Sequence, residues 1–278
     1  MRQSIKLLGV LEVKKRLLDM LSVFDGVCRE HGIRYSLDSG TLLGAVRHKG
    51  FIPWDDDVDL ILPRPDYERL LNHPEWINAP YGIISPYKHD AIHPFAKFVN
   101  WGIRAQEKEL DGIAEEYLWI DLFPADAVPD NRDDALALCV KQVRLAKSYG
   151  RSMANPDGVN DWLKRIARKA MKPIYSLIYP SRKTFEALMV NAESIPYGTT
   201  KNVSNLIWPA VIKDRWFPAD DFDNLIELDF EGRRFLSIPH WDDYLSGLYG
   251  DYMSLPPVED RVSHGADVWE VQEPFANQ

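Results

Sequence analysis

The length, composition and charge of the chain exclude several classes of protein. With 278 residues, of which 45% are hydrophobic, the chain is long enough for one large domain or two small ones, and its net charge of −9 argues against a general nucleic-acid binder. No segment has the pattern of a signal peptide and nowhere do about 18 uncharged apolar residues follow one another, so we expect a cytoplasmic protein that does not span a membrane.

The first half of the chain alternates helix-like and strand-like segments. Residues 5–31 have the spacing of an amphipathic helix, with apolar side chains at Leu7, Leu11, Leu17, Leu21, Phe24 and Cys28. Gly32 is placed to end this helix, because glycine readily adopts the left-handed conformation found after helix ends. Strands are predicted over residues 33–37, 58–62, 93–106 and 116–123, and short helices over 40–47 and 66–71. This order predicts an α/β fold in which helices flank a mixed sheet.

The second half is predicted to be helical first and then to end with a hairpin and a helix. Helix-like patterns cover residues 132–149 and 160–192, with Gly150 and Pro156 between them. Residues 225–238 alternate around a Glu-Gly turn and predict a hairpin, and residues 240–249 predict a last helix. We therefore divide the chain into an α/β core over 1–130, a mainly helical insertion over 131–200, and a C-terminal hairpin, helix and tail over 201–278 that complete the domain of the core.

Four aspartates within five residues form the most informative segment of the sequence. Asp55, Asp57 and Asp59 occur at every second position, so on an extended chain they project from one side. The apolar residues 51–54 and 60–62 flank them and favour burial of the strand that carries them. Buried like charges raise one another's pKa unless a cation offsets them, and oxygen ligands favour Mg²⁺ or Mn²⁺. A solvated acidic turn is the alternative interpretation.

Two further features complete the pattern of a phosphate-handling site. Gly40 and Thr41 lie at a predicted strand-to-helix turn, where backbone N–H groups and a helix N-terminus bind anionic phosphate. Together with the acidic strand, this turn has the layout of a nucleotidyltransferase site. Asp121, within the apolar run 119–123, is the candidate for a third carboxylate of the metal site, and the capping of a loop at a strand end is its alternative role.

Several basic residues are candidates for contacts with phosphate. Arg47 and His48 belong to a short cationic stretch suited to a diphosphate or an anionic acceptor, although an exposed basic loop has the same composition. Lys97 lies among strand-like residues, where phosphate contact and a position at a strand edge are both consistent with its surroundings. His264, near the C-terminus, is a further candidate for phosphate contact.

Residues 162–179 form a separate candidate surface. Basic residues occur there at Lys164, Arg165, Arg168, Lys169 and Lys172, among apolar residues at Trp162, Ile166, Met171, Ile174, Tyr175, Leu177 and Ile178. This pattern is typical of an interfacial helix on anionic lipids, and it is equally consistent with a surface helix that packs against the main domain.

These motifs closely resemble the LicD family, which includes bacterial phosphocholine transferases and the fukutin-related proteins. The resemblance rests on residues 35–67, with segments 40–44, 47–59 and 64–67 in the form typical of the family. It extends to residues 120–124 and to the C-terminal segment 248–257, which His264 follows.

The resemblance implies a nucleotidyltransferase-like fold for the core, a CDP-activated donor and Mg²⁺. It also implies transfer of a phospho-alcohol group, phosphocholine from CDP-choline in typical bacterial members, to a hydroxyl of a cell-surface glycan such as teichoic acid or lipopolysaccharide. By position in the motif, Asp57 and Asp59 match the metal-binding pair and Asp55 matches a further acid. No motif of the family covers residues 130–200, where we expect the choice of acceptor to be made.

We predict a reaction in which an acceptor hydroxyl attacks the phosphorus that bears the transferred alcohol and CMP leaves. The metal is assigned to Asp55, Asp57, Asp59 and Asp121, and Asp121 either holds it or accepts the hydroxyl proton. Donor phosphates are assigned to Gly40, Thr41, Arg47, His48, Lys97 and His264. The alternatives are a nucleotidyltransferase that releases pyrophosphate and a catalytically silent nucleotide-binding scaffold. A lipid-linked glycan acceptor would bring membrane contact through residues 162–179.

Two tryptophans have two interpretations each. Trp54 and Trp119 flank the acidic motifs, where they stack on cytosine, enclose a trimethylammonium group by cation–π attraction, or pack in the core.

Overall fold

The computed structural model describes residues 7–88, 93–106, 116–153, 162–178, 181–208, 216–261 and 266–271. Its helices are α1 (Val10–His31), α2 (Ser39–His48), α3 (Arg64–Asn72), α4 (Arg132–Met153), α5 (Trp162–Ile178), α6 (Ser181–Ala192) and α7 (Trp241–Tyr249). Its strands are β1 (Ser36–Leu37), β2 (Asp59–Pro63), β3 (Tyr81–Ile84), β4 (Ala96–Gln106), β5 (Glu116–Val128), β6 (Asn202–Asn205), β7 (Phe217–Pro218), β8 (Ile226–Phe230), β9 (Arg233–Ser237) and β10 (Asp267–Glu270).

A mixed sheet forms the centre of the fold. Its main path runs β1-β2-β5-β4-β10, while β3 pairs with β4, and β6 links β5 to β7. Strands β2 and β5 run parallel, whereas β1 with β2 and β4 with β5 are antiparallel. Strands β8 and β9 form a separate hairpin. This arrangement, with α4 to α6 in the middle of the chain and a hairpin and helix near its end, confirms the predicted fold class. The three-part domain division stays a prediction.

The parallel pairing with β5 fixes the start of β2. Leu60, Ile61 and Leu62 are at most 1% exposed, so the hydrophobic effect holds β2 inside the sheet. The Asp121 N–H donates to the carbonyl of Val58 at 2.9 Å and continues the ladder beyond the first residue of β2. The buried apolar residues of β2 therefore hold Asp59, its first residue, in a fixed position.

Helix α1 starts later than predicted. It begins at Val10, where the Gly9 N–H donates to Glu12 Oε2 at 3.1 Å. The buried face consists of Val13, Leu17, Met20, Leu21, Phe24 and Cys28. The predicted apolar face of this helix is wrong at two positions. Leu7 precedes the helix, and Leu11 lies on the side away from the buried face and is 83% exposed. Gly32 ends the helix in the left-handed conformation at φ +61°, as predicted.

Two glycine positions, one in a turn and one in a helix, show where the local sequence determines the backbone conformation and where it does not. Glu231 and Gly232 both have positive φ and join β8 to β9, which confirms the predicted hairpin. Gly150, in contrast, lies inside α4 instead of ending a helix. A glycine costs a helix only about 1 kcal/mol relative to alanine, and packing of α4 against α6 outweighs that cost.

Candidate active site

A cavity of about 530 Å³ lies where β2 and β5 begin to run side by side. Its polar lining comprises Ser39, Gly40, Asp55, Asp56, Asp57, Asp59, Asp121 and Asn205. Its apolar and aromatic lining includes Phe95, Leu118, Trp119, Phe123, Trp208 and Tyr249. The volume lies in the range of small-molecule sites, which combine apolar walls with a few convergent polar groups.

The strand register brings the acidic residues together. Asp59 and Asp121 are direct partners in the parallel pairing of β2 with β5. Burial raises the pKa of Asp59 well above its usual value, and the neighbouring carboxylates Asp121, Asp38 and Asp55 raise it further. Burial likewise raises the pKa of Asp57, with Asp59, Asp55 and Asp121 adding to the effect. The predicted acids therefore repel one another when they are ionised, and a bound cation or proton would reduce this repulsion.

Only part of this cluster follows from strand alternation. Strand β2 begins at Asp59, and residues 55–58 precede it in an irregular segment. The Asp55 N–H donates to the Ile52 carbonyl at 3.0 Å, which turns the chain before the acids. Lys14 on α1 fixes this turn from outside, because its ammonium group donates to the carbonyls of Ile52 at 2.9 Å and Pro53 at 3.1 Å.

The N-terminus of α2 faces the same cavity. Ser39 and Gly40 open the helix and line the cavity, and the first N–H groups of a helix have no partner within it. Gly40 approaches the acids closely, since a Cβ there would lie 2.7 Å from Asp55 Oδ2. No acidic residue occupies the first turn. This end of α2 is thus a site where the helix dipole and the backbone favour an anion, next to a site that favours a cation.

Thr41 has a different position from the one predicted for phosphate contact. Its Oγ1 accepts the N–H of Asp59 at 2.9 Å, and the residue is buried. The side chain thereby connects the first turn of α2 to the first residue of β2. Thr41 holds the anion site and the acidic strand in one geometry without lining the cavity.

Lys97 lies behind Asp121 in the neighbouring strand. The two residues pair in the register of β4 with β5, and Lys97 Nζ is 4.0 Å from Asp121 Oδ1. The ammonium group also lies 3.9 Å from the centre of the Trp119 ring, a cation–π contact. Lys97 is buried and does not itself line the cavity, while Asp121 and Trp119 do. Its positive charge therefore acts on the site from behind Asp121 and Trp119.

The structure places Arg47 and His48 away from the cavity lining. Arg47 Nη1 donates to the Tyr252 carbonyl at 2.6 Å and so holds the segment after α7. Burial and the charge of Arg47 lower the pKa of His48, which favours its neutral form. Trp54 packs beside His48 and carries the Arg261 guanidinium on its ring at 4.9 Å. His264 lies outside the described residues. The phosphate contacts of these residues remain predictions.

Several residues of the site were not assigned from the sequence, among them Asp38, His93 and Trp208. Asp38 is buried and accepts the Tyr244 hydroxyl at 2.5 Å, and its backbone N–H donates to the Asp59 carbonyl at 3.0 Å. His93 and Trp208 contact each other edge to face and line the apolar part of the cavity. The position of Asp38 directly before the Gly-Thr turn was a usable signal. His93 and Trp208 come from distant segments, and no local pattern marks them.

The donor set fits a hard divalent cation. Asp55, Asp57, Asp59 and Asp121 offer only carboxylate oxygens, the ligands that Mg²⁺ and Mn²⁺ prefer. Within the described ranges, no group of three or more His, Cys, Asp or Glu side chains has the spacing to hold a metal ion. Mg²⁺ commonly takes only one or two carboxylates and completes its shell with water and substrate phosphates, so two of these acids together with donor phosphates would be enough to bind it. The metal site remains a prediction that the residues are chemically able to fulfil.

Carboxylates on adjacent parallel strands, opposite a helix N-terminus, are the arrangement expected of a nucleotidyltransferase-type domain. Residues 32–136 match the model of the LicD/FKTN/FKRP nucleotidyltransferase domain. The chain carries a LicD-type domain, which confirms the resemblance seen in its motifs.

Individual relatives agree with this assignment. The chain is 28% identical to the lipopolysaccharide cholinephosphotransferase LicD of Haemophilus influenzae over 272 residues, which cover 93% of this chain and 97% of that protein. It is 33% identical to an uncharacterised protein of Rickettsia typhi over 37% of this chain and 31% of the relative. A segment of 35 residues, 13% of this chain and 7% of the relative, is 60% identical to the human ribitol 5-phosphate transferase FKRP.

Proposed function

We propose that the protein transfers phosphocholine from CDP-choline to a hydroxyl of a cell-surface glycan, in a reaction that requires Mg²⁺ or Mn²⁺. The proposal depends on one observation, the parallel register that sets Asp59 beside Asp121 in a cavity shared with Asp57 and the start of α2. Similarity along almost the whole chain to a lipopolysaccharide cholinephosphotransferase supports the transferred group and the glycan acceptor.

The two ends of the site bind different groups, one the donor diphosphate and the other the metal. The backbone N–H groups of Ser39 and Gly40 bind the diphosphate of the donor, where the helix dipole favours negative charge. Asp57 and Asp59 would hold the metal, and Asp55 would support it directly or through water. A divalent ion bound there would neutralise charge on the non-bridging phosphate oxygens in the transition state.

The chemical step is a displacement at one phosphorus. The acceptor oxygen forms a bond to the phosphorus that bears choline, the bond from that phosphorus to the bridging oxygen breaks, and CMP leaves with the electron pair. Asp121 either accepts the hydroxyl proton or serves as a third metal ligand. Lys97, 4.0 Å from Asp121, offsets part of the negative charge that accumulates there. Most of the rate enhancement then comes from positioning and electrostatics.

The aromatic wall of the cavity suits a quaternary ammonium group. The Trp119 ring already carries the Lys97 ammonium group on one face. Trp208 lines the cavity, is 39% exposed and packs edge to face against Phe95. We assign the trimethylammonium group to the Trp208 side of the cavity, because a methylated cation binds an aromatic face without requiring a hydrogen-bond acceptor.

Product analysis tests this proposal. The purified chain is incubated with Mg²⁺ and a panel of CDP-choline, CDP-ethanolamine and CDP-ribitol, with and without glycan acceptors, and the nucleotide products are separated. We expect CMP to form from CDP-choline in a reaction that EDTA stops and excess Mg²⁺ restores. Release of pyrophosphate from CTP and phosphocholine would instead identify a nucleotidyltransferase. A chain that forms CMP from no CDP-alcohol contradicts the proposal.

A further inference from the structure

Helix α5 carries an apolar face that the described parts of the chain leave exposed. Leu177 is 82% exposed and Trp162 61%, and Leu163, Ile166, Ile174 and Ile178 are also exposed. Burial of such side chains is favourable, so a contiguous set of them marks a contact surface. No helix within the described ranges has the length and apolarity to cross a bilayer.

The side chains of α5 separate into two halves of the helix. At about 100° per residue, the large apolar residues fall within one half of the circumference. All five basic residues, Lys164, Arg165, Arg168, Lys169 and Lys172, fall within the other half. The helix contains no acidic residue, although the whole chain has a net charge of −9. Lys169 and Lys164 lie at the two borders between the basic and the apolar half of the helix. From there a long side chain packs its methylene groups along the apolar surface and places its charge in water.

Helix α4 contacts α5 on a side that leaves the apolar face open. The cleft between the two helices is lined by Lys147, Gly150 and Arg151 of α4 and by Ala167, Arg168, Met171 and Lys172 of α5. On the helical wheel, Trp162, Ile166 and Leu177 lie roughly opposite this group. Packing against the main domain, the alternative role for this helix, therefore does not cover its apolar face in the described structure.

The positive charge on and around α5 favours an anionic partner. A second copy of α5 packed on the apolar face would bring no acidic residue to the five cations, because the helix contains none, and Lys147 and Arg151 of α4 add to the positive potential. An anionic lipid surface instead attracts those cations while its acyl region takes up the apolar face.

We propose that α5 lies in the interface of an anionic lipid bilayer, with Trp162, Ile166 and Leu177 directed into the acyl boundary and the basic residues at the headgroups. This attachment is independent of the donor, the metal and the acceptor, so it goes beyond the proposed transfer reaction. It keeps the protein at a membrane surface through α5.

Vesicle flotation with the full-length chain tests the attachment. One set of vesicles is an equal mixture of phosphatidylglycerol and phosphatidylcholine, and the other is phosphatidylcholine alone. We expect the wild type to float with the anionic vesicles only, and less so as salt rises. The double variant Ile166→Gln and Leu177→Gln, which keeps good helix formers, should bind roughly tenfold or more weakly. The double variant Arg165→Glu and Lys169→Glu should lose at least roughly tenfold at low salt.

Matched controls on α6 separate this surface from general effects of charge and polarity. Val190→Gln alters an exposed apolar residue and Lys183→Glu reverses an exposed charge outside α5, and both should float like the wild type. Circular dichroism confirms that each variant folds. The proposal is overturned when the wild type floats with neither vesicle or when the α5 variants float normally. It is also overturned when ultracentrifugation shows a wild-type oligomer that the Ile166→Gln and Leu177→Gln variant dissociates.

Discussion

Replacing Asp57 with Asn is expected to lower the rate of phosphocholine transfer at least roughly 100-fold at saturating Mg²⁺. The substitution keeps the size of the side chain and removes one of the carboxylates that share the field around Asp59 and Asp121. A neutral amide holds Mg²⁺ less well than a carboxylate, so the metal and the donor diphosphate lose their fixed position. The measurement is CMP release from CDP-choline in the presence of acceptor.

The thermal midpoint of the same variant separates a catalytic effect from misfolding. Burial and neighbouring acids disfavour the ionised form of Asp57, as its raised pKa shows. The neutral Asn relieves this repulsion, so without divalent ions the variant should unfold at the same temperature as the wild type or higher. Asp229→Asn, an exposed position on the β8 to β9 hairpin, is the matched control and should keep full activity. Activity above a few per cent in Asp57→Asn would remove this residue from the metal site.

Replacing Arg64 with Met is expected to destabilise the fold by about 3–5 kcal/mol. Arg64 begins α3 and is 6% exposed, and its guanidinium donates to both oxygens of the buried Asp126 on β5, at 2.6 and 2.7 Å. It also donates to the Tyr87 hydroxyl at 3.1 Å. Methionine fills most of the volume but leaves the Asp126 carboxylate buried without its cation. Urea unfolding at constant pH measures the loss.

The loss of stability in this variant should grow with pH. In the wild type, burial raises the pKa of Asp126 to about 6, although Arg64 opposes the shift. The folded chain thus holds this proton more tightly than the unfolded chain, whose aspartates titrate near about 4, and the contribution of Asp126 to stability falls as pH rises between these values. Without Arg64 the folded pKa is higher still, so the decline continues to higher pH. The variant should be closest to the wild type near pH 5 and furthest from it near pH 8.

Two further variants show whether the cost is that of an uncompensated charge. Arg64→Met combined with Asp126→Leu removes both charges and should recover most of the lost stability, because an apolar pair of similar volume replaces a buried ion pair at little cost. Arg234→Met, at an exposed arginine of β9, should change stability by less than about 0.5 kcal/mol. A single variant Arg64→Met that unfolds like the wild type at pH 8 would contradict the assigned role of this pair.

Local patterns in the sequence were sufficient to predict much of this fold. The apolar run after Asp59 predicted a buried strand, and its burial places the acids at the end of β2. Gly32 and the Glu231-Gly232 turn were predicted because a left-handed conformation has a strong local cause. These features depend on a few neighbouring residues, which a single sequence displays directly.

Features that depend on distant packing escaped prediction. The position of Asp38 before the Gly-Thr turn was a local signal, but its burial beside Asp59 and its hydrogen bond from Tyr244, 206 residues later, depend on the folded chain. Leu11 has a residue type typical of the core, yet the phase of α1 turns it to solvent, since the buried stripe is set by the sheet beneath the helix. His93 and Trp208 meet at the cavity only through the folded chain, and neither lies in a recognisable motif.

The central claim is that the carboxylates at the start of β2 and on β5 hold a divalent metal with the donor phosphates beside the N-terminus of α2. The most direct measurement is the anomalous scattering of Mn²⁺ in crystals of the protein grown with CDP-choline. We predict a peak within bonding distance of Asp57 and Asp59, with Asp121 adjacent and the diphosphate at Ser39 and Gly40. A donor bound elsewhere, or an ion that none of these carboxylates contacts, would contradict the account.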